Sequence, residues 1–313
     1  MSIALEVKPG PAITRADFVD SHPPYSIALD GYVVGAPFLE LTARGPYRNF
    51  NHHEAVDRSC TCATCEQARR AVLFGLYDLF SDHGGRRATL WVNDCDQDVC
   101  LATFTLMNPD RAGEPMLRVI TQIEDLLDAS AGAFPMPHER ELLGKVRWVF
   151  EPYTRARPRL LQMGGPDMRQ VIADVHLRIE EFLVGKAFAA GLEGTFNRLG
   201  GGSGWVLAEL DHPHAREKMI AAGIRAAVEL TARVGERFVY SVWRRSEYVI
   251  GFPVREILRA LNVAEGSPPD DLQGWGGADN IGGSPRRKGS GLSPAQVEAV
   301  VNGVVEGARP KSP

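Results

Sequence analysis

The chain has 313 residues, 44% of them hydrophobic and 24% charged, which is enough apolar material for two ordinary globular domains. Its 35 basic and 39 acidic residues leave a net charge of −4, which argues against a surface that coats long nucleic acid. No apolar run approaches the roughly 20 residues of a membrane helix, and Met1–Gly10 lacks the basic-then-apolar pattern of an export signal, so a cytoplasmic protein without a membrane partner is expected.

In chain order, Tyr25–Gly31 reads as a short apolar strand ending in Asp-Gly, and Phe38–Thr42 and Tyr47–Phe50 as further extended pieces. Cys65–Phe80 has helical spacing, Ala88–Val92 is a strand, and Val99–Met107 is the helix leaving it. Arg118–Leu127 is another helix, closed by the small and proline-rich stretch Ala129–Pro137. From Glu139 to about Leu199 the chain reads as mainly helical, and Gly200–Gly204 breaks the composition. Trp205–Leu210 then reads as a strand, Ala215–Leu230 as an amphipathic helix, Arg237–Val242 as a strand and Val254–Leu261 as a helix. A glycine-rich stretch, Gly274–Ser290, precedes a last helix, Pro294–Val305, with Ser293 as its N-cap.

Strands alternating with helices predict an α/β protein of two domains. An N-terminal, mostly parallel sheet flanked by helices (1–138) would be joined by a helical connector (139–199) to a smaller C-terminal α/β domain (200–313).

The chemistry is concentrated in two strings. Asn51-His52-His53-Glu54 follows one predicted strand, and Asn93-Asp94-Cys95-Asp96-Gln97-Asp98 follows another. Residues at the C-terminal tips of parallel strands face the crevice where such sheets bind ligands, and Asp30 stands at a third tip. Imidazole and carboxylate together suit a divalent metal, Mn foremost and Mg, Fe or Zn as alternatives. Asp30, His52, His53, Asp96 and Asp98 are the expected ligands, with Asp94 completing the set, and Asp96, Asp98, His52 and His53 are the expected catalytic groups. Two metals roughly 3.5–4 Å apart would activate water and stabilise a phosphoryl displacement. In the tail, Arg286, Arg287 and Lys288 supply charge beside glycines that let backbone approach a phosphate.

These strings resemble motifs of the DHH phosphoesterase superfamily with its DHH-associated C-terminal domain. Asn93–Asp98 resembles that family's His-x-x-Asp-x-Asp string, Leu29-Asp30-Gly31 its aspartate-bearing strand, and Asn51–Glu54 its Asp-His-His motif. Asp128–Phe134 resembles a later aspartate motif, which implies Asp128 as a further ligand. Ser241–Ser246 and Ile281–Ser290 resemble the substrate-domain strand and its Gly-Gly-His-type loop, which implies Arg244, Gly282, Gly283, Ser284, Arg286 and Arg287 as substrate-binding residues. The order of the motifs is rearranged, and asparagines stand where the family has an aspartate (Asn51) and a histidine (Asn93). The resemblance implies hydrolysis of a small phosphoester: a short oligonucleotide, a cyclic dinucleotide or a nucleoside phosphate.

Two rival readings accompany this one. The same scaffold could be a non-catalytic ligand-binding protein whose asparagines mark a retired metal site. Alternatively Cys60, Cys62 and Cys65 form a metal or redox site. All five cysteines fall between Cys60 and Cys100, an odd number that fits reduced thiols better than a disulfide framework. A homodimer is compatible with everything above.

Overall fold

The computed structural model describes residues 2–132, 140–190, 194–212, 215–271, 273–285 and 288–308. It is a mixed α/β protein with two sheets, and the described residues fall into two compact units. The first runs to Ala129 and from Glu141 to Ala190; the second holds the remainder. Among the described residues no helix is long and apolar enough to cross a membrane.

The first unit contains strands β1 (Ser2–Val7), β2 (Ser26–Leu29), β3 (Phe38–Thr42), β4 (Gly45–Phe50), β5 (Ser81–Asp82) and β6 (Gly85–Val92). Its helices are α1 (Arg15–Ser21), α2 (Thr64–Leu73), α3 (Leu76–Leu79), α4 (Gln97–Met107), α5 (Pro115–Ala129), α6 (Arg140–Ala156) and α7 (Gly165–Leu183). The sheet order is β1-β6-β2-β4-β3, with β5 on β6. The four strands β1, β6, β2 and β4 are mutually parallel, while β3 and β5 pair antiparallel at the margins. The expected mostly parallel sheet is therefore present, and the C-terminal ends of β6, β2 and β4 lie side by side.

Burial explains the local sequence. All four residues of β2 are buried, as a central strand covered on both faces requires. Helix α4 has no polar face because it is enclosed by α2, α5 and α7, and Asp98 to Leu106 are all buried. The predicted single helix Cys65–Phe80 is two helices, because Gly75 adopts a left-handed φ of 91° between them. The segment read as a helical connector, 139–199, is in its described part α6 and α7, which belong to the first unit, followed by the start of a strand.

The second unit contains β7 (Phe196–Gly202), β8 (Trp205–Leu210), β9 (Ala226–Val234), β10 (Arg237–Arg244), β11 (Gly276–Gly277) and β12 (Ile281–Gly283). Helices α8 (Ala215–Ala221), α9 (Val254–Ala264) and α10 (Pro294–Gly307) accompany them. The order is β11-β12-β10-β9-β8-β7, and only β8 and β9 are parallel, connected through α8. One face packs Leu207, Val228 and Val242 against Ile257, Leu261, Val297 and Val301 of α9 and α10. The other packs Ala208, Ala227 and Trp243 against Ala215 and Met219 of α8.

Two sequence expectations are corrected here. The predicted helix Ala215–Leu230 ends at Ala221, and the chain turns through Gly223 (φ 83°) into β9. Ala226–Leu230 is buried on both sides, and a short apolar run of that kind carries no period that separates strand from helix. The glycine run Gly200–Gly204, read as the break at which the C-terminal domain begins, lies within it as the end of β7, which starts at Phe196, and its turn into β8. A Cβ at Gly202 would lie 2.0 Å from Asn302 Oδ1, so the glycine is there to admit α10.

Candidate metal centre

Three neighbouring strand ends deliver the site. Asp30 follows β2 and holds a left-handed φ of 49°, a conformation aspartate tolerates better than most residues. His52 and His53 follow β4, and the acidic string follows β6. Asp128 comes from the last turn of α5.

These residues converge on one atom. His52 Nε2 lies 2.7 Å from Asp128 Oδ2, 3.4 Å from Asp98 Oδ2 and 3.5 Å from Asp30 Oδ1. His53 Nε2 lies 2.7 Å from Asp30 Oδ1. Asp30, His52 and His53 form one group of ligand atoms close enough to share a cation, and His52, Asp98 and Asp128 form another. His52, Asp30 and Asp98 are almost wholly buried, whereas the side chains of His53 and Asp128 are 33% and 31% exposed and form the open side.

The surroundings hold these groups in place. Thr64 Oγ1 donates to Asp30 Oδ1 at 3.1 Å. The backbone N–H groups of Thr64 and Cys65 donate to the two oxygens of Asp98 at 2.7 and 2.6 Å. Asp98 thereby caps α2, whose own N-cap, Ala63, has no side chain able to do so. Asp125 Oδ1 accepts the Ala63 N–H at 2.5 Å and completes that cap. Asp96 caps its own helix, accepting the Val99 N–H at 2.9 Å. Asp94 accepts the Cys95 N–H at 2.6 Å. Neither Asp94 nor Asp96 belongs to a ligand group, so the two triads draw on Asp98 alone from the acidic string.

Charge is crowded here. Burial opposes ionisation of Asp30, but the two imidazoles beside it outweigh this and hold it well below the usual carboxylate range. Burial likewise opposes a charge on His52, yet Asp128 and Asp30 raise it to about 11. The charge of Asp30 raises His53. Asp128 is lowered because His52 overcomes its desolvation. Burial and the carboxylate of Asp30 push Asp98 up to about 7. Burial, with Asp30, Asp94 and Asp98 adding to it, raises Asp96 well above the usual range, and burial does the same to Glu124, aided by Asp128 and Asp98. Such an excess of carboxylates is balanced by protons on imidazole and carboxyl groups, or by a cation that replaces them.

The donor set fits a divalent ion. Nε2 of His52 is buried and makes no hydrogen bond of acceptable geometry, although three carboxylates surround it. One imidazole N–H can serve only one acceptor well, whereas a cation can be ligated by a nitrogen and several oxygens at once.

Some residues of the site carried no sequence signal. Thr64, Arg58 and Asp125 lie in or against the loop after His53, where nothing in their spacing marks them. Glu124 was findable: it sits on the buried face of α5 with Leu117, Ile120 and Thr121, a carboxylate inside an apolar stripe.

The residues implied for substrate lie in the second unit. Arg244 Nε donates to Asp279 O and Asn280 Oδ1, both at 3.1 Å. Gly282 and Gly283 are ladder residues of β12 against β10, and buried Ser284 accepts the Tyr240 N–H at 3.0 Å. Arg286 and Arg287 lie outside the described residues. Cys60 is exposed, Cys62 half-buried and Cys65 buried, and no cysteine joins a ligand group among the described residues. Burial raises the thiols of Cys62 and Cys65, with nearby carboxylates adding to it, which disfavours the thiolates a metal would need.

Comparison of the chain with known protein families, with curated proteins and with solved structures finds no match.

Proposed function

We propose that the first unit carries a divalent-cation centre, Mn foremost, and that the protein is a metal-dependent hydrolase of a small phosphoester. The observation that carries this reading is the convergence of Asp30, Asp98 and Asp128 on the unsatisfied Nε2 of buried His52. Asp30, His52, His53, Asp98 and Asp128 would hold the cation. When bound it would act as a Lewis acid on the ester and lower the pKa of water at the site.

The chain's own groups do the rest. Thr64 Oγ1 and the N–H groups of Thr64 and Cys65 fix the Asp30 and Asp98 oxygens before any ligand arrives, so little reorganisation is needed. His53, on the open side with Nε2 against Asp30, would complete the donor set on the side nearest an incoming group. The phosphoester as substrate rests on the resemblance to DHH phosphoesterases together with a carboxylate–imidazole donor set at parallel strand ends, the edge where such sheets bind ligands.

A binding protein without turnover is the second reading. It is favoured by the engagement of Asp96 and Asp98, both designated catalytic from sequence, in capping two helices. One experiment separates the readings: metal analysis of protein prepared without chelator, with Mn-dependent hydrolysis of a generic phosphodiester. Bound cation and turnover, both lost in His52→Ala, support the hydrolase. Bound cation without turnover supports the binding protein, and absence of both overturns the metal centre.

A further inference from the structure

Arg58 stands out among the residues around the centre. It lies in the loop between His53 and α2, is only 8% exposed, and carries a full positive charge. One end of its guanidinium is occupied: Nη2 donates to Asp128 Oδ2 at 3.2 Å and to Asp128 O at 3.3 Å. The same nitrogen lies 3.5 Å from His52 Nδ1. Nε, on the same edge of the guanidinium as Nη2, is buried and has no hydrogen-bond partner. A buried charged donor without an acceptor is costly, and such a group marks a place where an acceptor belongs.

Its position says which acceptor. Arg58 touches Asp128, one of the two ligand residues on the open side of the centre. A molecule entering there would meet the cation and the guanidinium together. Guanidinium matches a tetrahedral oxyanion in charge and in geometry, since parallel N–H groups can engage two oxygens at once.

We propose that Arg58 is the oxyanion receptor of the metal centre, anchored through Nη2 on Asp128 and donating to a non-bridging phosphate oxygen of the bound ester. This assignment builds on the metal-centre reading above and adds a substrate contact to it.

The test uses the full chain, Mn and inorganic phosphate, with binding measured by titration calorimetry. Wild type should bind Mn and then phosphate. Arg58→Gln should keep its Mn affinity, or gain up to about threefold because a nearby positive charge is gone. Its phosphate affinity should fall about 10- to 100-fold. Arg58→Lys keeps the charge without the planar fork and should fall between the two, and it carries the test if Arg58→Gln does not fold. If either variant instead loses Mn and leaves phosphate binding to the residual metal-loaded protein unchanged, Arg58 only positions Asp128 and the proposal is overturned. Equal phosphate affinity in all three proteins overturns it as well. No Mn binding by wild type removes the metal centre and this proposal together. Mn binding without an Arg58-dependent phosphate affinity removes this one alone.

Discussion

Asn51 holds His53 in place: its Oδ1 accepts the His53 N–H at 3.1 Å while its Nδ2 donates to the carbonyls of Gly35 at 2.8 Å and Val33 at 3.3 Å. The side chain is fully buried, so both ends of the amide are used. An aspartate could keep the first contact but would face two carbonyl oxygens without a proton to offer.

Asn51→Asp should therefore destabilise the protein by about 2–4 kcal/mol, from two lost donors and one more buried charge. Urea unfolding monitored by circular dichroism measures this. A variant as stable as the parent would mean that the asparagine is a degenerate ligand position and not a brace.

Cation binding should release protons. The surrounding carboxylates raise His52 to about 11, so at neutral pH it carries a proton that ligation must remove, and the charge of Asp30 makes His53 hold its proton more firmly than a free imidazole. Mn affinity should rise by about tenfold per pH unit for each proton released, with the proton of His52 released at neutral pH. Calorimetric titrations in buffers of different ionisation enthalpy count them directly. An affinity that does not change between pH 6 and 8 would sink this account of the site's charge.

The sequence announced the strand tips better than it announced the centre itself. Asp30, His52, His53 and Asp98 come together because parallel strands align their C-terminal ends, and that much follows from strand–helix alternation, whereas Asp128 arrives from the last turn of α5, which the alternation does not mark. Asp96 was indistinguishable from Asp98 in the string, since both stand two apart after the same strand. Only the fold shows that Asp96 turns back to cap α4 while Asp98 reaches the N-terminus of α2. That reach spans 34 residues, and Ala63 as an N-cap gave no hint that another segment would supply the acceptor. In the second unit, Ala226–Leu230 was read as helix because burial on both faces erases the alternation that marks a strand.

Acid should weaken the fold partly through His176. This half-buried ring places Nε2 3.0 Å from the carbonyl of Cys100, and burial pushes it down to about 4. An unfolded chain's histidine titrates near 6.5, so between the two values the unfolded state binds more protons and stability falls as pH falls. The contribution is complete above about 6.5 and lost on the way to about 4, up to about 3 kcal/mol in all. His176→Gln keeps a donor for Cys100 O but cannot titrate, and it should flatten the stability–pH curve over that window. Denaturation midpoints at half-unit intervals from pH 4 to 7 give the comparison, and parallel curves for the two proteins would remove His176 from the acid limb.

Gly283 offers a choice between packing and binding. A Cβ there would lie 2.7 Å from the carbonyl oxygen of Tyr240 on the adjoining strand, closer than side-chain carbons approach backbone. The contact is with main chain inside the β10–β12 ladder, so neither strand can move aside without breaking the pairing of Ser241 with Gly283. Gly283→Ala should then cost about 1–3 kcal/mol of stability, the range for forcing an extra carbon into a packed site. If the glycine served only to let backbone approach a phosphate, the alanine variant would melt at the parental temperature and lose phosphate affinity instead. Thermal unfolding beside phosphate titration of the same preparation distinguishes the two, and a lowered melting temperature with intact phosphate affinity in the folded fraction assigns Gly283 to the sheet.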